Sequence, residues 1–342
     1  MRKLSTAVIG LGKQNLENHL PAVLESETLS LEAVCDVDHV ALDKASAQYG
    51  VDGFTSVAEL LRKKRLDLAI VGVPHAEYYP IVSALAEAGV NIFKEKPFAI
   101  SLDEANRIDG LIDRTKVKLM INLQRRFNPV FQAFEQVRRR IGRVYAIEGK
   151  YTKNIASLDS GWRSSRDMSG GGALLDMGYH YIDLLVWYFG VPRHVSATMT
   201  NLGRKDQRYD VEDSVNLSFS YDAAGPDDPA LAKTIGSLIV SRAGHESVES
   251  FSVLGTNGRI LIQRGRISRF DAAGKEIESL SRDGQWFSAA IDQLDYFSGV
   301  IQGIIPERKD LSYKEHFKHM AIIDAAYRSN SGPTPDVIVT GT

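Results

Sequence analysis

Hydrophobic positions in the first 125 residues follow two alternating rhythms. Short apolar runs at 6–9, 31–35, 68–73, 91–94 and 118–122 alternate with stretches at 16–25, 40–49, 57–64, 79–88 and 102–114 in which apolar residues return every three or four positions. Buried strands of a parallel sheet read as continuous apolar runs, and the helices that wrap it read with a 3.6-residue period. The pattern therefore predicts strands alternating with helices in a doubly wound sheet. Ser56 and Ser101 stand where helix N-caps belong, and Glu104 follows Ser101 at capping-box spacing. From about Val144 the rhythm changes to longer alternating strands at 145–151, 195–201, 214–221, 235–242, 249–254, 259–263 and 267–270. Turns such as Thr256-Asn257-Gly258 separate them, and helices are expected only at 172–189, 286–302 and 313–329. Successive strands joined by turns imply an antiparallel or mixed sheet. Residues 222–233, with Gly225-Pro226 and Asp228-Pro229, read as a polar hairpin loop.

The expected fold is α/β. An N-terminal, doubly wound parallel sheet of the Rossmann type occupies residues 1–125. A C-terminal α+β domain with a large, mostly antiparallel open sheet occupies 126–342 and is expected to serve substrate binding and oligomerisation. One face of that second sheet is expected to lack helices, and the run 237–240 would want a partner, which predicts a homodimer or homotetramer.

Composition narrows the class. The 342 residues are 44% hydrophobic and 25% charged, near the average for soluble globular chains, which excludes collagen-like and low-complexity classes. Lys plus Arg is 41 against 43 for Asp plus Glu, so no global field favours nucleic acid or an anionic membrane. The single cysteine, Cys35, cannot form an intrachain disulfide, and no apolar run approaches the roughly 18 residues of a membrane helix. The N-terminal residues pass directly into the first strand, without a signal-like segment, so a cytoplasmic location is expected.

Three segments carry chemistry. Gly10-Leu11-Gly12-Lys13-Gln14-Asn15 follows the first strand and opens a helix, where backbone N–H groups hold a pyrophosphate. Asn15 stands where the fingerprint has its third glycine, and its bulk is expected to keep the helix from packing tightly on the strand. Asp36 ends the second strand, at the spacing of a carboxylate that accepts bonds from ribose hydroxyls and repels a 2′-phosphate, so NAD is favoured over NADP. The second segment, Phe93-Lys94-Glu95-Lys96-Pro97-Phe98, ends a buried-type strand abruptly in charge, at the strand end that faces the ligand crevice of such a sheet. Pro97 restricts Lys96 to extended conformations and so fixes where it points. The third is a glycine-led apolar helix, 170–189, whose only ionisable groups besides tyrosines are Asp176, His180 and Asp183. That spacing lines them along one helical face, with Asp183 the member most readily satisfied structurally.

Taken together, these segments with Arg125-Arg126-Phe127-Asn128-Pro129, Trp162-Arg163 and Tyr327-Arg328-Ser329 resemble the Gfo/Idh/MocA family of NAD(P)-dependent oxidoreductases over essentially the whole chain. The resemblance implies that Lys96, Asp176 and His180 surround a reacting carbinol. It also implies cofactor contacts from the 10–15 loop, Asp36, Val73, Pro74, His75, Glu95, Lys96, Asn122, Trp162 and Arg163. Many members have a histidine four residues after the proline of the Val73-Pro74 turn; this chain has Tyr78 there. Hydride removal from a secondary alcohol leaves a proton to be taken and a negative oxygen to be stabilised. His180 suits the base and Lys96 the polariser, and the exchanged roles fit nearly as well. Arg126, Tyr151, Lys153, Arg163 and Tyr179 are candidates to line a cavity for a sugar, sugar derivative or cyclitol. Redox-neutral glycoside cleavage or epimerisation on a retained NAD, and a non-catalytic sugar sensor, are the alternative readings. No metal site is expected: His316 and His319, three apart on a Lys-bearing helix, read as a solvated face, and His19 has no evident partner.

Overall fold

A computed structural model describes residues 2–221, 231, 233–282, 285–331 and 337–339. The loop expected at 222–233 lies almost entirely outside the described residues. In chain order the elements are β1 (Leu4–Ile9), α1 (Leu20–Glu25, preceded by a π turn at Asn15–His19), β2 (Leu29–Cys35), α2 (His39–Tyr49), β3 (Asp52–Phe54), α3 (Val57–Lys63), β4 (Leu68–Val71), α4 (Tyr78–Glu87), β5 (Asn91–Lys94), α5 (Leu102–Thr115) and β6 (Leu119–Ile121). There follow α6 (Pro129–Gln132), α7 (Phe134–Arg138), β7 (Val144–Asn154), α8 (Arg166–Ser169) and α9 (Tyr179–Phe189, preceded by a π turn at Leu174–Gly178). The chain continues through β8 (His194–Thr200), β9 (Ser214–Ser220), β10 (Ile235–Ser241), β11 (Ala243–Gly255), β12 (Gly258–Gln263), β13 (Arg266–Asp271) and β14 (Glu276–Ser281). It ends with α10 (Gln285–Ile301), α11 (His316–Ser331) and β15 (Val337–Ile338).

These elements form two compact units. The first comprises Met1–Ala99, Asp103–Phe127 and Gly284–Glu315; the second comprises Ile100–Leu102, Asn128–Asp283 and His316–Thr342. The expected division at 125/126 thus falls two residues from the observed break, but it places α10 in the wrong half. The reason is packing. Ala289, Ala290, Leu294, Phe297 and Val300 of α10 join the core formed by β1, β2 and α1. Asp295 accepts hydrogen bonds from Ser26 Oγ (2.5 Å) and Thr28 Oγ1 (2.6 Å). A helical stripe shows that a helix is buried without showing on which partner.

The first unit is a six-stranded sheet of order β3-β2-β1-β4-β5-β6, all pairs parallel. The order reverses between β1 and β4, and ligands of such sheets bind at that switch point, beyond the strands' carboxyl ends. Ser56 caps α3 by accepting from Glu59 N, and Asp38 caps α2. The second unit is a nine-stranded sheet of order β14-β13-β12-β11-β7-β10-β9-β8-β15, antiparallel except for the central β7–β10 pair. Side chains alternate across β10: Leu238 and Val240 are buried, whereas Ile235 and Ile239 are 61% and 48% exposed. A groove of about 430 Å³ lies on this sheet, lined in part by Glu148, His194, Ser218 and Ile235.

Candidate active site

The carboxyl end of β1 runs into Gly10, at φ +85°. A Cβ on Gly10 would lie 2.3 Å from the carbonyl oxygen of Gly72, which follows β4, so both strand ends close tightly at the switch point. Asn15 does not loosen this packing as its size predicts. It is fully buried, and its Nδ2 donates to the carbonyls of Ile9 (3.0 Å) and Gly10 (2.5 Å). The space is made on the neighbouring strand, because a Cβ on Gly72 would fall 2.7 Å from Asn15 Oδ1. The missing glycine is compensated across the sheet. Gly12, Lys13 and Gln14 remain exposed, and a Cβ at Gly12 would meet open space. Asp36 accepts from Leu11 N through Oδ2 and from Asp38 N (2.8 Å) through Oδ1, which ties the end of β2 to the glycine loop. These residues fit a dinucleotide: open backbone at a helix N-terminus, and a carboxylate one strand over.

At the end of β5 a buried polar network replaces apolar packing. Glu95 accepts from His19 Nε2 and from Asn122 Nδ2, both at 2.5 Å. Asn122 Oδ1 accepts from Gln293 Nε2 (2.8 Å), and Gln293 Oε1 accepts from Leu123 N (2.7 Å). Burial alone would raise the Glu95 carboxyl, but the His19 bond and charge, Lys96 and the Asn122 bond together hold it below the usual carboxylate range. Asn122 thus has both ends of its amide engaged inside the network. His19, without an evident partner in the sequence, is a member because the π turn at Asn15–His19 carries it to Glu95. Among residues 92–99 only Lys96 is not buried. His75 is buried and stacked on Tyr78, with ring centroids 5.8 Å apart. Val73 and Pro74 are partly exposed beside it.

In the second unit the glycines are explained by what touches them. A Cβ at Gly170 would lie 2.5 Å from Ile100 Cβ, one at Gly171 2.1 Å from the Tyr327 hydroxyl, and one at Gly172 1.9 Å from the Glu212 carbonyl oxygen. Glu212 then caps the helix from outside: its Oε1 accepts from Gly172 N and Leu174 N, each at 3.0 Å, and from the Tyr327 hydroxyl at 2.9 Å. Its backbone carbonyl takes Ala173 N at 2.9 Å. A carboxylate at a helix N-terminus meets unpaired N–H groups and the positive end of the helix dipole. Burial and the Glu212 carboxylate push the Tyr327 hydroxyl well up, so it remains a donor. From Gly171 to Val186 every residue is buried except His180.

The candidates of this unit fall into two contacting sets, Asp176 with Arg163 and Trp162, and His180 with Tyr151 and Lys153. Arg163 Nε donates to Asp176 Oδ2 at 3.1 Å, and the Arg163 guanidinium lies 4.1 Å from the Trp162 ring centroid. The His180 ring meets Tyr151 edge-on at 6.3 Å, and Lys153 Nζ lies 5.5 Å from the Tyr151 ring. Asp183 leaves the expected line and faces α11, where His319 Nε2 donates to Oδ1 at 2.9 Å. Asp176 belongs to the π turn, and its extra residue per turn rotates it relative to an uninterrupted α-helix.

Several expectations are corrected. Tyr179, expected at a cavity wall, is fully buried and stacked on His316 and His319, with its hydroxyl 2.6 Å from His316 Nδ1. His316 and His319 are fully buried, not a solvated face. Arg126 is only 2% exposed, and its Nη1 donates to the Asp310 carbonyl within the first unit. Glu212, His19 and Gln293 were missed, because a lone acidic, imidazole or amide side chain carries no periodic signal.

Comparison with known proteins agrees with the fold of the first unit and identifies the family. A family model described as an oxidoreductase family with an NAD-binding Rossmann fold matches residues 4–123, and one described as a GFO/IDH/MocA C-terminal domain matches 136–261. The chain belongs to the Gfo/Idh/MocA family of oxidoreductases. Among curated relatives, Oxidoreductase P35 of Formosa agariphila is 28% identical over 55% of this chain. That match spans 61% of the relative's own length. D-xylose 1-dehydrogenase (NADP(+)) 2 of Haloferax volcanii is 23% identical over 94% of this chain and 96% of its own. Among solved structures, the WlbA dehydrogenase from Bordetella pertussis in complex with NADH and UDP-GlcNAcA shares the fold, with a TM-score of 0.81, 22% identity and full coverage of both chains. Among the described residues, no helix of this family member is long and apolar enough to cross a membrane.

Proposed function

We propose that this family member is an NAD-dependent dehydrogenase or ketoreductase acting on a secondary alcohol or ketone of a sugar, sugar derivative or cyclitol. One observation carries the reading: the strand end 92–99 and the helix 171–186 are each buried except for one titratable side chain, Lys96 and His180. Burying a whole segment while leaving one ionisable group accessible is the arrangement of a group kept for chemistry. The family to which the chain belongs and the dehydrogenase names of its relatives support the reaction class, and the sugar named for the Haloferax relative supports the substrate class. Asp36 favours NAD, since a carboxylate there repels a 2′-phosphate.

When bound, the nicotinamide supplies the hydride acceptor or donor. The residues of the chain do the rest. In the oxidative direction the carbinol C–H pair leaves as hydride and the hydroxyl proton passes to a ring nitrogen of His180. Lys96 is the polariser, an N–H donor for an oxygen that gains negative character. Asp176, held by Arg163, orients the substrate hydroxyls, with Tyr151 and Lys153 beside His180. The exposed backbone of Gly12, Lys13 and Gln14 would hold the pyrophosphate, beside Gly10 and Leu11, whose N–H groups are already taken by the Cys35 carbonyl and Asp36. We further infer that copies of this chain pair through the β10 face bearing Ile235 and Ile239, which light scattering at micromolar concentration tests; a monomer overturns it.

The test is NADH absorbance with purified protein, NAD and a panel of sugars, aminosugars, uronates and inositols. Stoichiometric NADH formation that is lost in both Lys96→Ala and His180→Ala is the expected result. Binding of NAD without net NADH from any polyol, together with a product formed without added cofactor, would instead favour redox-neutral turnover.

A further inference from the structure

Lys94, two residues before Lys96, is fully buried. Its Nζ donates to three carbonyls of the turn that follows, those of Glu95 (3.0 Å), Pro97 (2.5 Å) and Phe98 (3.2 Å), and lies 3.6 Å from the Tyr78 ring centroid. The backbone of Lys94 is itself fixed, since its carbonyl accepts from Asn122 N at 2.8 Å. An ammonium has three N–H donors, and here each has a carbonyl within reach. Together the three acceptors bracket the peptide that carries Lys96, leaving that residue's side chain as the accessible one. A buried amine is costly unless its bonds are made, and a methionine of similar length would fill the same space at less cost. Retaining charge here calls for a reason beyond packing.

We propose that Lys94 is a positioning residue whose buried ammonium gathers the carbonyls of Glu95, Pro97 and Phe98 and so fixes the turn from which Lys96 is presented. The proposal rests on the reading of Lys96 as a group that contacts the reacting oxygen. Burial pushes the Lys94 ammonium down to about 7, opposed by the charges of Glu104 and Glu95 and reinforced by Lys96. The amine form, with two N–H groups, cannot serve three carbonyls at once. Charge and turn geometry are therefore linked near neutral pH through groups on β5, the following turn, α5 and, through the Tyr78 ring, α4.

The experiment compares the intact protein with Lys94→Met, which keeps length but no donor, and Lys94→Gln, which keeps two. Hydrogen exchange of the peptides spanning 92–99 is read alongside the NADH dissociation constant and kcat. Lys94→Met is expected to quicken exchange in 92–99 at least tenfold while other strands of the first unit are unchanged. It is also expected to leave NADH affinity within about twofold and to lower kcat on the order of tenfold to a hundredfold, the scale of a misplaced catalytic group. Lys94→Gln falls between and stands in if Lys94→Met does not fold. Unchanged exchange in 92–99 overturns the proposal, and so does quicker exchange with parental kcat. Should no substrate support turnover by the parental protein, the dehydrogenase reading has failed, whereas the exchange measurement still decides whether Lys94 holds the turn.

Discussion

The two units hold their functional segments by opposite charges. In the first, a buried ammonium, Lys94, collects the backbone carbonyls of a turn that follows a strand. In the second, a buried carboxylate, Glu212, collects the backbone amides that open a helix. The signs follow from what each backbone leaves unpaired. A strand end turning through a proline leaves carbonyls without ladder partners, and a helix start leaves N–H groups without carbonyls. In both units the charged anchor is buried and a neighbouring ionisable side chain, Lys96 or His180, is left accessible. A functional segment can thus be rigid in its backbone while exposing one group.

The largest effect should come from Lys96 and His180, the partly accessible members. Lys96→Ala and His180→Ala are each expected to lower kcat by about 10²–10⁴-fold with NADH binding retained in a fluorescence titration. Parental turnover in either variant would break the parallel between the units. Next are the anchors. Glu212→Ala strands Gly172 N, Leu174 N and the Tyr327 hydroxyl, and should cost the second unit roughly 3–5 kcal/mol in denaturant unfolding. Glu212→Gln keeps an acceptor and should cost clearly less; equal losses would show that shape, not charge-assisted capping, is what matters. Third, Gly72→Ala should destabilise the first unit by about 2–3 kcal/mol, because its Cβ would meet the buried Asn15 amide. Most of that cost should vanish in an Asn15→Gly background, and an additive double-mutant cycle would refute the compensation across β1 and β4.

The smallest effect sharpens the sign of the first anchor. Lys94 sits at about 7 in the folded chain against an ordinary 10.5, so between these values the unfolded chain binds the extra proton. Stability should therefore be flat in this term below pH 7 and rise above it up to pH 9. Glu95, Glu104 and Lys96 are the charges that face this group, and only the first two oppose the shift. Thermal unfolding across pH 6–9 should show the rise in the parental protein and lose it in Lys94→Met. An identical slope in both would mean that Lys94 does not titrate in this window.

Much of the fold is legible in the sequence alone. The alternation of apolar runs with helical stripes in residues 6–122 specified a doubly wound sheet, because each buried element must show its own period along the chain. Asp36, the Lys96 strand end and the Asp176–His180 spacing were readable because they sit at fixed offsets from glycines or from an element's end. The expected solvated face at His316 and His319 fails because α11 buries both histidines against Tyr179 of α9. The membership of α10 in the first unit was equally invisible, since an apolar stripe is the same whichever core receives it.

What the sequence by itself determined is the alternation of strand and helix in the first unit, the strand-rich character of the second and the family, all of which depend on local period and spacing. What only the tertiary structure decided is which distant residue meets each buried group: Glu212 the backbone amides that open the Asp176–His180 helix, Gly72 the bulk of Asn15, and His19 with Asn122 the carboxylate of Glu95. Those pairings span between 27 and 76 residues. Burying a polar group is costly unless a partner meets it, and the identity of that partner is fixed by chain path through space, which no local pattern encodes.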